Sequence, residues 1–564
     1  MIRLETRLIS SLVKSRSADD LTAPGFTAAS ALPGETFSFQ LALRNTTPRP
    51  LPGGGVAENL LPRTVTVELR AESALPVELR SVEEVPVTIP GLRTDGWLIG
   101  SAPGLYPDRL VALPDGLLRL PGNLWRFCWV TVRIPADCAP GAYPVTLKLR
   151  EFDLAADAPA AEGESRGSTF DLRVAAAAPA PATEFIRFEW FHHDCLCRAY
   201  GVECWSEEHW RIFAEQLRNA AAHGLNMLFT PLWTPPLDTA VGGERPTVQL
   251  LGITRRGDRY GFDFSRLERY IELARSVGIS RFSMSHAFTQ WGATATPKIV
   301  ATVEDGTEKR IFGWDVPADS PAYAEFLRQL MPPLLGFFRE RGLGDRIYFS
   351  VSDEPSEKNL ETYAFASKLL HSFLDGVPTI DALSNYETYE RGLVETPVPA
   401  NDHIENFVGK VPKLFTYYCI SQEAEVPNRF IAMPAIRTRV FGVLCYLYRV
   451  VGFLHWGYNF YNSQYSHHPV DPCRDTCADN WGPGGDGFIV YPGTDGAPED
   501  SIRHELFYEA IQDYRACSAA EAKIGRDAVE KMILEGLDYR PTMTRYPHEN
   551  GWLLDLRERL NRLF

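Results

Sequence analysis

At 564 residues the chain is long enough for roughly two to four domains with full cores. Its 45 % hydrophobic and 23 % charged content is that of an ordinary globular protein. A net charge of −15 excludes nucleic acid or an anionic membrane surface as the main partner, because both demand a basic face.

The first residues, Met1-Ile2-Arg3-Leu4 onward, hold no apolar run of signal-peptide length. No later stretch reaches membrane-spanning length either; 440–451 is interrupted by Arg449. Ten cysteines, bunched in part at Cys195, Cys197 and Cys204, are too sparse for a disulfide framework. A reducing, cytoplasmic setting is the expectation. His192 with those three cysteines, or Cys473 with Cys477, has some metal-ligand character, but neither group has a matching second half, so no metal is expected.

Residues 1–180 read as all-β. Apolar and polar residues alternate over 36–44, 64–70, 129–135 and 143–150, with turn-rich segments between them. The run 140–147 resembles a late strand of immunoglobulin-like sandwiches. A low-complexity stretch at 175–182, rich in Ala and Pro, marks a boundary. From Phe185 strands alternate with amphipathic helices, the pattern of a βα barrel. The expected strands are 185–191, 226–230, 281–285, 347–352, 379–383, 403–408, 414–419 and 452–458. Helical patterns fall at 210–222, 267–277, 323–339 and 360–374, and everything after Ile502 is helical and charged, with Leu506, Tyr508 and Ile511 inward. The expected architecture is multidomain: an N-terminal antiparallel β-sandwich over 1–180, a (β/α)8 TIM-like barrel over 184–518, and a C-terminal helical appendage over 519–564.

One strand ends in chemistry. Ile347, Phe349 and Val351 alternate with Tyr348, Ser350 and Ser352, then Asp353 and Glu354 follow directly, and Pro355 stops the pairing. Pro355 also biases Glu354 toward an extended backbone. Alternation puts the two acids on opposite faces, so only a bend at the strand end brings both to the mouth of a barrel. Two carboxylates this close raise the pKa of one of them. A helix N-terminus capped by Asp353 or Ser356 is the plainer reading of the same residues.

In a barrel, residues just past each strand share one rim. Those here include His192, Trp233, His286, Asn385, Tyr417, Trp456 and Tyr458 as candidate substrate contacts. Aromatic walls with a few amide and imidazole groups suit a carbohydrate. His192 reads more readily as a local hydrogen-bonding residue and Trp456 equally as core, while Gly457 beside it allows close approach of a ring or ligand. No Gly-rich phosphate loop or nucleophile elbow is present, and Gly482–Gly487 reads as a turn.

A β-sandwich followed by a barrel strand ending Ser352-Asp353-Glu354-Pro355 resembles glycoside hydrolase family 123 and its relatives. The segments 454–461, 485–492 and 501–506 leading into 511–514 fit the same pattern, so the resemblance spans roughly residues 185 to 520. It implies a retaining exo-β-N-acetylhexosaminidase, β-N-acetylgalactosaminidase-like, using substrate-assisted catalysis without metal or organic cofactor. The substrate's 2-acetamido oxygen would attack the anomeric carbon, giving an oxazoline. Glu354 would protonate the leaving oxygen and later deprotonate water, and Asp353 would orient the acetamido N–H. A cytoplasmic setting points to imported oligosaccharides or glycosphingolipid-derived fragments.

Two other readings stay open. One is a glycosidase using Glu354 with a distant carboxylate as nucleophile or base, for which Glu189, Asp194 and Glu405 are the candidates. The other is a catalytically inactive carbohydrate-binding protein.

Overall fold

The computed structural model describes residues 2–50, 56–57, 60–154, 158–159, 166–176 and 185–564. The boundary stretch expected at 175–182 lies outside these from residue 177 onward. The chain divides into two units: Met1–Thr183 with Asn428–Leu447 and Glu499–Phe564, and Glu184–Pro427 with Tyr448–Pro498.

The first unit holds two sheets. One has the strand order Leu4–Ser10, Thr36–Asn45, Trp125–Arg133, Val77–Val87, Gly104–Ala112. The other runs Ala28–Ala31, Arg166–Val174, Gly141–Asp153, Val65–Glu72, Leu117–Leu120. Pairing along both is antiparallel except between Ala28–Ala31 and Arg166–Val174. Period-2 alternation aims Phe39, Leu41 and Leu43 of one sheet and Val65, Val67, Leu69, Val145 and Leu147 of the other into one shared core.

The helix Ile502–Ile524 belongs to this unit. That differs from the expectation of a barrel running through 518, and the reason is electrostatic. Arg503, Glu505, Glu509 and Asp513 look like a solvated face in the sequence, yet all are buried. Arg503 forks onto Asp108 of strand Gly104–Ala112 with two bonds of 2.9 Å, neither side chain being exposed. Asp513 accepts from Arg439 at 2.8 Å and from Arg557 at 2.9 Å. A helix whose charges are all partnered inside a unit is a core element of it.

The second unit is built on parallel strands. Six form one sheet in the order Ile347–Tyr348, Arg281–Met284, Leu225–Thr230, Ile186–Glu189, Val450–His455, Leu414–Tyr417. Ile380–Ala382 and Thr396–Val398 form a separate parallel pair. Single parallel bridges, Phe349 to Thr379 and Ala400 to Tyr417, link that pair to the two edge strands of the sheet. Helices Glu207–Ala222, Ser265–Ser276, Pro321–Glu340 and Leu360–Leu374 lie between strands in sequence.

The strand expected at 403–408 is absent there; Ile404–Asn406 is a single 3₁₀ turn, and the strand is Thr396–Val398. Pro397 and Pro399 hide it from a sequence reading, because proline removes ladder donors. A four-stranded sheet, in the order Arg259–Asp263, Gly252–Arg256, Ile299–Thr302, Glu308–Phe312, was not foreseen.

Alternate residues of the parallel strands pack into one interior cluster: Ile186 and Phe188, Met227 and Phe229, Tyr348, Ile380 and Ala382, Val398, Phe415 and Tyr417, Leu454. Gly452 belongs here by necessity, since a Cβ on it would stand 2.2 Å from the Phe415 ring. Among the described residues no helix is long and apolar enough to cross a membrane.

Asp108→Ala strands the Arg503 guanidinium in the core. It should lower the unfolding free energy by about 3–5 kcal/mol in denaturant titrations. Replacing both partners by apolar residues of similar volume should recover most of that loss.

Candidate active site

Beyond strand Ile347–Tyr348 the chain is held by side chains as well as by backbone bonds, among them Phe349 N–H to Pro378 O at 3.1 Å and Ala287 N–H to Ser350 O at 2.8 Å. Ser350 Oγ donates to the Ile380 carbonyl at 2.8 Å, and Ser352 Oγ to that of Thr289 at 2.7 Å. Small hydroxyl residues fit where the next backbone passes close by.

Glu354 then turns the backbone with φ of 43°, the left-handed region. The extended conformation expected ahead of Pro355 is therefore not adopted. Three hydrogen bonds impose the turn. Trp291 N–H donates to Asp353 O at 2.9 Å, and Glu354 N–H donates to Ala382 O at 3.1 Å. Tyr417 Oη donates to Glu354 Oε1 at 2.6 Å. Such a conformation costs on the order of 1–3 kcal/mol and survives because its surroundings over-determine it. Its effect is to bring Asp353 and Glu354, neighbours that a strand would point apart, to the wall of one cavity.

Trp190, Trp291, Tyr417, Trp456 and Trp481 give the cavity aromatic walls, and Asp238 and Gln290 add polar groups. Trp291 is 42 % exposed and meets Tyr465 edge-on at 5.8 Å.

Burial raises the pKa of both acids. For Asp353 the charges of Glu354, Asp381 and Asp238 push the same way, whereas for Glu354 the Tyr417 hydrogen bond opposes burial. The pair titrates together and holds a proton more readily than ordinary carboxyls do. Asp381, buried beneath them, accepts from Val351 N at 3.1 Å and from Tyr363 Oη at 2.7 Å. Burial outweighs these bonds and pushes its pKa up to about 8.

The Trp456 wall is built from behind. Asp194 takes Arg245 in a fork of 2.6 and 3.0 Å, and Arg245 Nη2 lies 3.1 Å from His192 Nδ1. A guanidinium can only donate, so His192 Nδ1 accepts and its Nε2–H donates to Trp456 O at 2.8 Å. Burial and the nearby Arg245 charge lower the His192 pKa to about 3, keeping the ring neutral. Burial works against the Asp194 charge, but Arg245 outweighs it and holds that carboxyl below its usual range. Trp456 Nε1 donates to Asp486 at 3.2 Å. The close approach permitted by Gly457 is to backbone: a Cβ there would lie 2.3 Å from Gly487 O, so the turn 482–487 is packed directly under the wall.

The family model described as "Glycoside hydrolase 123, catalytic domain" matches residues 190–520, more than half of the chain. The chain belongs to glycoside hydrolase family 123. Among solved structures, the family 123 glycoside hydrolase from Clostridium perfringens matches with a TM-score of 0.73 and 15 % identity, over 99 % of this chain and 98 % of that one. At that identity the likeness is one of fold. A Bacteroides ovatus GH5 xyloglucanase matches at 9 % identity with a TM-score of 0.26, over 87 % of this chain and 98 % of that one. No curated protein sequence matches.

In this family 123 hydrolase Asp353, Glu354, Tyr417 and Trp456 line the cavity. The other sequence candidates stand elsewhere. His192 lies behind Trp456. Trp233 is fully buried and donates to the His286 carbonyl at 2.7 Å, while the His286 ring meets Trp190 edge-on at 5.2 Å. Those two brace the Trp190 wall. Tyr458 stacks on Phe191 at 4.2 Å and bonds Asn219 at 3.2 Å. Asn385 caps the helix Tyr386–Glu390, accepting from Glu387 N at 2.9 Å.

Of the rival carboxylates, Glu189 is fully buried against Arg187 at 2.8 Å, Asp194 is tied to Arg245, and Glu405 accepts from Tyr448. None of the three lines the cavity. The thiol cluster has lost its histidine to Arg245 and Trp456, and Cys197 and Cys204 sit 2.7 Å apart, sulfur to sulfur. Trp190, Asp238, Gln290, Trp291 and Trp481 were missed. The turn signal Pro235-Pro236 ahead of Asp238 and the glycine after Trp291 were the only traces of two of them.

Two measurements follow from these environments. Tyr417→Phe removes the donor that favours the Glu354 carboxylate, so the pH at which Glu354 loses its proton should move upward. The alkaline limb of the pH–rate profile should shift the same way. Folding favours protonated Asp381, so its contribution to stability is complete below about pH 4 and is lost as pH rises toward about 8. Stability should therefore fall across that window by up to roughly 1.4 kcal/mol per unit, and Asp381→Asn should flatten the slope.

Proposed function

We propose that this glycoside hydrolase is a retaining exo-β-N-acetylhexosaminidase, β-N-acetylgalactosaminidase-like, in which the substrate's acetamido group is the nucleophile. The observation that carries the reading is the juxtaposition of Asp353 and Glu354 on one wall of an aromatic cavity, with Tyr417 bonded to Glu354. Adjacent acids serve one side of a sugar together. A protein nucleophile would need its carboxyl about 5–5.5 Å from the acid across the scissile bond. The three distant carboxylates weighed for that role, Glu189, Asp194 and Glu405, are bonded elsewhere.

Glu354 acts as the general acid and then as the base. Burial, which raises its pKa, supports the first half of that task. Asp353 accepts the acetamido N–H as positive charge develops on that group. Before substrate binds, burial and the charges around Asp353 both raise its pKa, so it competes with Glu354 for a proton. An incoming N–H donor favours its carboxylate and so moves the proton to Glu354, arming the acid only when an N-acetylated sugar is bound. The eight parallel strands, with the two bridges at Phe349 and Ala400, support reading this unit as a (β/α)8 barrel with the acids at its carboxyl rim.

The substrate class is a terminal N-acetylhexosamine on an oligosaccharide or glycolipid-derived glycan. The Clostridium perfringens enzyme hydrolyses glycolipid glycans, in keeping with this. Ten free thiols support a reducing, cytoplasmic setting.

A panel of aryl β-glycosides tests the reading. Turnover should be largest on N-acetylgalactosaminide or N-acetylglucosaminide and near background on plain galactoside. Glu354→Gln should cost about 10²–10⁴-fold in kcat while sparing sugar binding. Asp353→Asn should cost a comparable factor, confined to N-acetylated substrates. A thiazoline analogue of the oxazoline should inhibit. Equal or greater turnover of the plain galactoside would end the substrate-assisted proposal.

A further inference from the structure

Asp238 lines the same cavity and is used by none of the chemistry above. It is only 9 % exposed, and its Oδ2 has no hydrogen-bond partner. Its backbone is fixed in the left-handed region, φ 39°, by Gln290 Oε1 accepting from Asp238 N at 2.6 Å and Ser466 Oγ donating to Asp238 O at 2.7 Å. Gln290 is itself anchored, donating to Thr239 O at 3.0 Å. Backbone strain and two hydrogen bonds thus hold a carboxyl with an unfilled acceptor at the cavity wall.

A second orphan faces the same problem with the opposite sign. Trp190, 4 % exposed and also lining the cavity, has an indole Nε1–H with no acceptor. Buried polar groups are almost always partnered, so a donor and an acceptor both left open around one cavity point to a ligand that supplies both. A hydroxyl is such a group, being donor and acceptor at once.

We propose that Asp238 is the specificity-determining residue of the site, accepting a hydrogen bond from a ring hydroxyl of the bound sugar, with the Trp190 indole N–H donating to a sugar oxygen beside it. This rests on the carbohydrate reading of the cavity but not on the mechanism. Burial raises the Asp238 pKa to about 6, with the Arg245 charge opposing, so it is largely ionised at neutral pH and a strong acceptor. The two groups give the site a means of rejecting sugars that lack the matching hydroxyl, because such a ligand leaves them unpaired.

The test uses the full chain carrying Glu354→Gln, so that binding is read without turnover. N-acetylgalactosamine, N-acetylglucosamine and their 3-, 4- and 6-deoxy analogues are titrated by calorimetry or ligand-observed NMR. Asp238→Ala should weaken binding of the parent sugar on the order of 100-fold. Asp238→Asn, which keeps an acceptor, should recover part of it, and Trp190→Phe should cost less than Asp238→Ala. For one deoxy analogue the Asp238→Ala penalty should vanish, identifying the hydroxyl concerned. The same loss on every deoxy analogue, or no loss on the parent, would overturn the proposal. Covalent labelling of Asp238 by a fluorinated glycoside would overturn it too, making that residue the nucleophile. If the sugars bind in an Asp238-dependent way while the unmutated chain hydrolyses none of the aryl glycosides, the inference stands and the hydrolytic reading falls. If none of the sugars binds, both fall.

Discussion

The left-handed turn at Glu354 is the constraint on which the site depends. A strand alternates its side chains, so consecutive acids on a regular strand cannot share a cavity. Reversing φ at one residue removes that prohibition, and three hydrogen bonds from three separate segments hold the reversal in place. Trp291 comes from the loop after strand Arg281–Met284, Ala382 from strand Ile380–Ala382, and Tyr417 from strand Leu414–Tyr417. The acids are therefore positioned by the convergence of parallel strands rather than by their own segment, which pairs regularly only over Ile347–Tyr348.

Much of this was legible in the residues themselves. Period-2 runs located four strands of the first unit within a few residues, Thr36–Asn45, Val65–Glu72, Trp125–Arg133 and Gly141–Asp153, and the alternation ending at Asp353 and Glu354 located the acids. Tyr417 and Trp456, two of the seven rim candidates, line the cavity, although Trp456 reads equally as core in the sequence. What escaped notice has definite causes. Thr396–Val398 was concealed by the proline within it and the one that follows, and the conformation of Glu354 is set by partners 28 to 63 positions away, as the Ala382 and Tyr417 contacts show. Trp190 was counted inside a strand, and Asp238, Gln290 and Trp481 sit in loops whose path no local pattern specifies.

The helix Ile502–Ile524 teaches the complementary lesson. Its charges at Arg503, Glu505, Glu509 and Asp513 follow the rule for a solvated face, and the rule fails because every one of them meets an opposite charge or hydroxyl from another segment. Arg80 takes Glu505, Ser11 and Arg439 take Glu509, and Arg439 and Arg557 take Asp513. Buried ion pairs of this kind add little net stability over an apolar core, but each tolerates only one docking geometry. The amphipathic pattern alone cannot distinguish such a helix from an exposed one.

The imidazole behind Trp456 has one more implication. With His192 and His286 both neutral down to about pH 3, the aromatic scaffolding keeps one protonation state throughout the range where carboxyls titrate. Contour and charge are thereby uncoupled in this pocket: acidity can switch the catalytic groups on and off while the receptacle around them keeps its form.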